Sequence, residues 1–133
     1  MFNHVEMNLP KLEREEIDGV RYYKLPGEDN LSRLVSITSV TSFHNRHIFE
    51  NWRKKVGEEK ANQISRAATT RGSGVHKALE LYLKNEDVSS LEMMPNVKSL
   101  FVRMKQELEK KVNNIHCLET PLYSHNLKLA GTV

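Results

Sequence analysis

Glu119-Thr-Pro-Leu-Tyr-Ser-His-Asn-Leu-Lys-Leu-Ala-Gly-Thr-Val133 reads as a strand, a turn and a second strand. Its β-favouring and apolar residues lie on either side of a short polar reversal. The second strand stays apolar and alternating through Val133, with no cap and no polar tail, so it is expected to be cut within a larger domain. Ile115 to Tyr123 and Leu127 to Val133 are the expected arms of this terminal hairpin.

The elements before it are mostly helical. Val97, Leu100, Phe101, Met104, Leu108 and Val112 recur at helical spacing behind Pro95, a residue suited to a first helical turn. Val75, Leu79, Tyr82 and Leu83 mark one face of another helix, expected to open near Ser73. Ile48, Phe49, Trp52 and Val56 mark a third, closed by Gly57, and residues 58–69 resume the pattern around Ala61, Ile64, Ala67 and Ala68. Residues 34–41 alternate β-branched residues with Ser and Thr. They predict an extended approach to a helix capped near Ser39 or Thr41. Asp18-Gly19 between two β-favouring runs predicts a two-residue hairpin, and Pro26-Gly27 with Asp29-Asn30 predicts a loop after it. Hairpin, helices and strands in that order specify an α+β class. The expected organisation is a hairpin and loop extension over 1–33 and a larger domain over 34–133.

With 133 residues, 38% hydrophobic and 28% charged, the chain has room for a core and the composition of a globular protein. No apolar run approaches the ~18 residues that span a bilayer, and the first residues lack a signal-peptide pattern. No membrane association and a cytoplasmic location are expected. Cys117 is the single cysteine, which excludes an internal disulfide and suggests a buried, inert thiol. Charge is unevenly placed: residues 31–84 carry ten bases against four acids, whereas residues 1–30 carry four bases against seven acids. A basic middle suits a phosphate-rich partner or a solvated helical surface. Arg53, Lys54, Lys55, Lys60 and Arg66 are the candidates to line a nucleic-acid groove. Trp52 and Tyr123 are expected to pack in the core, and His44 and His47 to sit at the surface.

Arg71-Gly72-Ser73-Gly74-Val75-His76-Lys77-Ala78-Leu79-Glu80 carries the most chemistry. His76 and Glu80, four apart in a helix, share a face and could hold a divalent cation or share a proton. Gly72 and Gly74 would let the backbone approach a ligand, and a helix opening there would attract an anion beside Arg71 and Lys77. The segment lacks the third glycine of a dinucleotide loop and the Gly-Lys-Ser/Thr ending of a phosphate-binding loop. It also lacks a His-Glu-x-x-His zinc pattern. These residues by themselves point to an anion or hard-metal site.

Arg71-Gly72-x-x-x-His76-x-x-x-Glu80, Glu119-x-Pro121-Leu122-Tyr123-Ser124 and Leu129-Ala130-Gly131-Thr132-Val133, in that order, resemble the RecB-like nucleases of the PD-(D/E)XK superfamily. The resemblance is nearest to the branch holding phage exonucleases and the mitochondrial genome maintenance exonuclease. Residues 36–41 and 51–57 are similar to that branch as well, and the likeness runs from about Leu34 to Val133. It implies the first strands of a restriction-endonuclease-like core and an exonuclease that hydrolyses DNA at ends or in single strands with Mg²⁺ or Mn²⁺. A phage source, and hence a host-cell cytoplasm, is a further implication. By position His76 would reach the metal, Glu119 would support the metal or its shell, and Arg71, Lys77, Arg53, Lys54 and Arg66 would engage DNA. The family carries an aspartate directly after its Gly-x-Val strand and a later Glu/Asp-x-Lys pair, neither of which stands in this sequence. The resemblance therefore implies the N-terminal portion of a nuclease, catalytically incomplete as it stands. The alternative is a non-catalytic nucleic-acid-binding or interaction module.

Overall fold

A computed structural model describes residues 1–27 and 33–133 and is α+β, with three helices and a mixed sheet. The expected loop at Asp29-Asn30 lies outside the described residues. The chain divides into two compact units, one of residues 7–52 and 117–133, the other of residues 1–6 and 53–116.

The sheet unit begins with the expected hairpin. Strands β2 (Glu13–Ile17) and β3 (Val20–Lys24) pair antiparallel with Ile17 opposite Val20, so Asp18 and Gly19 alone make the turn. Both have positive φ, 51° and 76°, which a two-residue turn matching the strand twist requires. Strand β4 (Arg33–Ser36) pairs antiparallel with β3 and parallel with β7 (Leu129–Thr132), and β6 (Pro121–Ser124) closes the far edge against β7. The order β2-β3-β4-β7-β6 makes the N-terminal hairpin one side of the same sheet that holds the C-terminal one. Leu12, Tyr23, Leu25, Leu34 and Ala130 form its core. Each fully buried Leu-sized side chain contributes roughly 1.5–3 kcal/mol. The Tyr23 hydroxyl meets Thr132 Oγ1 at 3.0 Å, and Arg33 Nε donates to Glu15 Oε2 at 2.9 Å across the sheet.

Helix α1 (Ile37–Val56) starts directly after β4, earlier than the expected Ser39 or Thr41. The cap is Ser36, buried at the strand end. Its Oγ accepts the Thr38 N–H at 3.3 Å and lies 2.7 Å from Thr38 Oγ1. The two residues read as caps act otherwise. Ser39 Oγ accepts the Arg21 N–H at 2.9 Å, and Thr41 Oγ1 donates back to the carbonyls of Ile37 and Thr38. No residue of α1 is buried, which corrects the placement of Trp52 in the core. The apolar residues of α1 are scattered around its circumference, with Ile48 and Phe49 about 100° apart, and they form no single stripe. Tyr123 is likewise exposed, its ring edge-on to His125. On β7, a Cβ at Gly131 would fall 2.9 Å from Ile37 Cγ2, so only glycine allows this approach of strand and helix.

In the helical unit Gly57 ends α1 with φ 94°, and α2 (Glu58–Leu83) follows at once. Arg53 ties the junction, donating to both carboxylate oxygens of Glu58 (3.2 and 2.5 Å) and to Asn62 Oδ1 at 2.6 Å. Helix α2 passes through Arg71-Gly72-Ser73-Gly74 without interruption, so the helix opening expected near Ser73 does not exist. Each interior glycine costs about 1 kcal/mol relative to Ala. The surrounding helix formers and the packing of α2 on α3 (Pro95–Lys111) outweigh that cost. A Cβ on Gly74 would stand 3.2 and 3.3 Å from the Val97 methyls, so this glycine serves close packing of the two helices.

Val75, Ala78, Leu79, Val97 and Phe101 form the α2–α3 core, flanked by Tyr82, Val88, Leu91, Met93 and Leu108. Leu100 and Met104 of the expected α3 stripe are exposed. The Tyr82 ring stands edge-on to Phe2 and Phe101. Asn85, at φ 63°, accepts the Phe2 N–H at 2.8 Å and donates to the Phe2 carbonyl at 2.9 Å. Strand β1 (Asn3–His4) pairs parallel with β5 (Asn114–Ile115), which removes Ile115 from the terminal hairpin where it was expected. Cys117 is only partly buried, contrary to the expected buried thiol. Among the described residues no helix is long and apolar enough to cross a membrane.

Candidate functional site

The chemistry expected at residues 71–80 falls on the outer side of α2. Val75, Ala78 and Leu79 turn into the α2–α3 core, which leaves Arg71, His76 and Lys77 exposed. Arg71 and His76 lie along one open groove of about 360 Å³ whose floor includes Val75, Leu79, Leu100 and Met104. The exposed members of the α3 stripe thus become an apolar wall, with a guanidinium and an imidazole on the opposite side. Such a groove can seat a group with an apolar face and an anionic edge.

Glu80, the expected companion of His76, is engaged elsewhere. Lys84 Nζ donates to its Oε1 at 2.5 Å and Lys77 Nζ to its Oε2 at 3.4 Å. The Lys84 hydrogen bond, assisted by Lys77, holds the carboxyl below its ordinary range. Both oxygens of Glu80 thus have a lysine partner, and Lys77 has a partner on its own helix. Of the other expected nucleic-acid contacts, Arg53 joins Glu58 and Asn62 at the helix junction, while Lys54 and Arg66 are exposed on α1 and α2.

Glu119 belongs to the sheet unit, exposed and two residues before β6. It adopts φ 52°, a left-handed backbone that costs a non-glycine residue of order 1–3 kcal/mol. The reciprocal backbone pair of Thr120 with Val133, at 3.0 and 3.1 Å, anchors the chain just after it.

Mg²⁺ and Mn²⁺ take mostly hard oxygen ligands in near-octahedral sets. Among the described residues no three His, Cys, Asp or Glu side chains gather closely enough to hold a metal ion. With Glu80 paired to lysines, the donors beside His76 do not fit a complete site for the ion that the resemblance implies.

Tyr82 carries a large displacement of an ionisable group. Its hydroxyl donates to Glu109 Oε1, and this bond, with burial and the adjacent negative charge, pushes its pKa up to about 12. The Lys105 ammonium lies 4.8 Å from the Tyr82 ring centroid. This cluster joins α2 to α3 and is structural.

Arg21 and Arg46, beside exposed aromatic residues of the sheet unit, were not singled out from the sequence. Their signal there is faint, because an arginine several residues from a phenylalanine is ordinary until the fold exposes both.

Compared with known proteins, the chain matches no family model, no curated protein and no solved structure.

Proposed function

We propose that this chain is the DNA-engaging, N-terminal part of a metal-dependent exonuclease of the RecB-like, PD-(D/E)XK kind, acting on ends or single strands. The observation that carries the proposal is the shared groove of Arg71 and His76 on α2, within the segment whose spacing resembles that family. On this view the mixed sheet supplies the first strands of the nuclease core, and Glu119 stands where the family places its supporting carboxylate. Arg71, Lys54 and Arg66 draw the phosphate backbone toward the protein, an attraction that weakens as rising salt shrinks the free-energy gain from releasing condensed counterions. His76 presents an imidazole to the groove, a group able to ligate a metal or to take part in a hydrogen bond. Hydrolysis is not assigned to residues 1–133 alone.

The experiment is digestion of end-labelled single-stranded DNA by the full gene product with Mg²⁺ or Mn²⁺. His76→Ala is expected to lower turnover roughly 10- to 100-fold with unchanged circular dichroism. Near-wild-type turnover would sink the assignment. Residues 1–133 alone are expected to give no digestion that EDTA abolishes.

The alternative, a non-catalytic nucleic-acid-binding module, is favoured by the engagement of both Glu80 oxygens by lysines. It predicts salt-sensitive DNA binding by the full gene product with no metal-dependent digestion.

A further inference from the structure

Helix α1 carries four bases against one acid, a surplus of three that equals the net charge of the whole chain. It also buries none of its aromatic rings. Phe43 is 67% exposed and Phe49 50%. In a helix made only to cover a sheet, these rings would turn inward, since each hides 150 Å² or more when buried. Here each exposed ring sits with an arginine at the edge of a hollow. The first hollow, about 560 Å³, runs along α1 past Ser42, Asn45, Arg46, Phe49 and Glu50. The second, about 400 Å³, lies between α1 and the β2–β3 hairpin and includes Glu16, Arg21, Ser42 and Phe43. They meet at Ser42.

The side chains are arranged for flat ligands. The Arg46 guanidinium lies 4.4 Å from the Phe43 ring centroid, covering one face and leaving its charge at the surface. Phe49 is tilted against Trp52 at 5.4 Å, an extended aromatic surface on the sheet unit. Asn45, at the rim of the first hollow, offers an amide that donates and accepts. Ring, arginine and hollow therefore occur twice in succession, separated by six residues of helix, about 9 Å of rise.

We infer that the uncovered surface of α1 is a stacking platform for single-stranded nucleic acid, with bases received on Phe43 and Phe49 at two positions around the helix and phosphates met by Arg21 and Arg46. Aromatic side chains take any base through its π-face, and the guanidiniums track the backbone. Duplex DNA cannot use such a platform, because its bases are already stacked on one another. Glu16 and Glu50 at the rims repel phosphates and keep the electrostatic share small, so stacking carries most of the affinity. The inference rests on the proposal above only for the class of partner, since it needs neither metal nor hydrolysis.

The test uses the purified 133-residue chain and a fluorescein-labelled mixed-sequence oligodeoxynucleotide, followed by anisotropy and by emission of Trp52, the single tryptophan. Binding is expected to quench Trp52. Phe49→Ala is expected to weaken affinity about 5- to 100-fold and to abolish the quench. Phe43→Ala should weaken binding similarly, and Arg46→Ala should reduce the slope of log affinity against log salt by about 0.7. Both rings are exposed, so circular dichroism of the variants is expected to match the native chain. Affinity for the single strand unchanged from the native chain in Phe43→Ala and Phe49→Ala would overturn the inference, as would equal quenching by a duplex of the same length. Absence of binding, with or without a self-associated chain in sedimentation, would overturn it too. Loss of digestion in His76→Ala of the full gene product beside unaltered binding by Phe49→Ala would leave the nuclease proposal standing and remove the platform.

Discussion

Gly72 and Gly74 stand two apart in one helix and meet opposite surroundings. Nothing lies within 4 Å of a Cβ built on Gly72, whereas one on Gly74 meets both Val97 methyls. Gly72→Ala therefore gains the helix preference for Ala, about 1 kcal/mol, and its midpoint in urea unfolding followed at 222 nm should rise. Gly74→Ala gains the same preference but presses α2 on Val97, and overpacking of that kind costs about 1–3 kcal/mol. Its midpoint should fall or stay level. A rise in both would mean that the α2–α3 contact is looser than these distances. Gly131→Ala, directed at Ile37 Cγ2, is the same test in the sheet unit and should destabilise it by about 1–3 kcal/mol. Gly74 of the Arg71 segment thus acts in packing, and α2 runs through both glycines with no backbone opening toward a ligand.

At the scale of elements, α1 depends on Ser36 and α2 is coupled to α3 through Tyr82. Ser36→Ala removes the oxygen that accepts the Thr38 N–H inside a buried strand end and should cost about 1 kcal/mol, read as a lower denaturation midpoint. Tyr82 gives a pH signature. Its pKa is raised in the folded chain to about 12, from about 10 in an unfolded one. The folded state therefore holds the proton more tightly. The stabilisation is fully present below about pH 10 and is lost as the pH climbs through the folded value. Tyr82→Phe keeps the ring contacts with Phe2 and Phe101 and removes the hydroxyl bond to Glu109. Melting profiles between pH 9 and 12 should consequently fall less steeply in Tyr82→Phe than in the native chain, while at neutral pH the variant is the less stable of the two. Parallel profiles would show that the Tyr82–Glu109 bond does not couple the helices in solution.

Across the whole molecule the ion pairs are mostly at the surface and act together only in acid. The carboxyls of Glu15, Glu58 and Glu80 lie below their ordinary range through hydrogen bonds from Arg33, Arg53 and Lys84, and that of Asp87 through the backbone and side chain of Ser89. Depressed folded values mean stability that is present above the unfolded values, near pH 4, and lost as the pH falls through the folded ones. Melting temperature should therefore decline below about pH 4, and less so in high salt, where exposed pairs already contribute little. A flat profile from pH 5 to 2 would remove these pairs from the account of stability.

The α+β class, the Asp18-Gly19 hairpin, the closure of α1 at Gly57, the opening of α3 at Pro95 and the final strand pair were all legible in the sequence. Each depends on a local preference: left-handed backbone at a tight turn, a missing amide proton at a helix start, or alternation along a strand. The continuity of α2 through Gly72 and Gly74 was not legible, because local cost argued for a break and only Val97 on another helix explains the glycine. Residues 113–115 joining the N-terminus, Ser36 in place of Ser39 as cap, the exposure of Phe43 and Phe49 and the incomplete burial of Trp52 were equally hidden. The candidate site divides the same way. Periodicity put His76 beside the apolar stripe of a helix but left Arg71 ahead of its expected start, and the pairing of Glu80 with Lys84 depends on side-chain geometry that spacing only permits. By itself the sequence determined which residues prefer to turn, extend or coil, since those preferences act within a few residues. The tertiary structure alone decided which apolar faces are covered and which carboxylates are paired, because burial and ion pairing depend on distances between residues far apart in the chain.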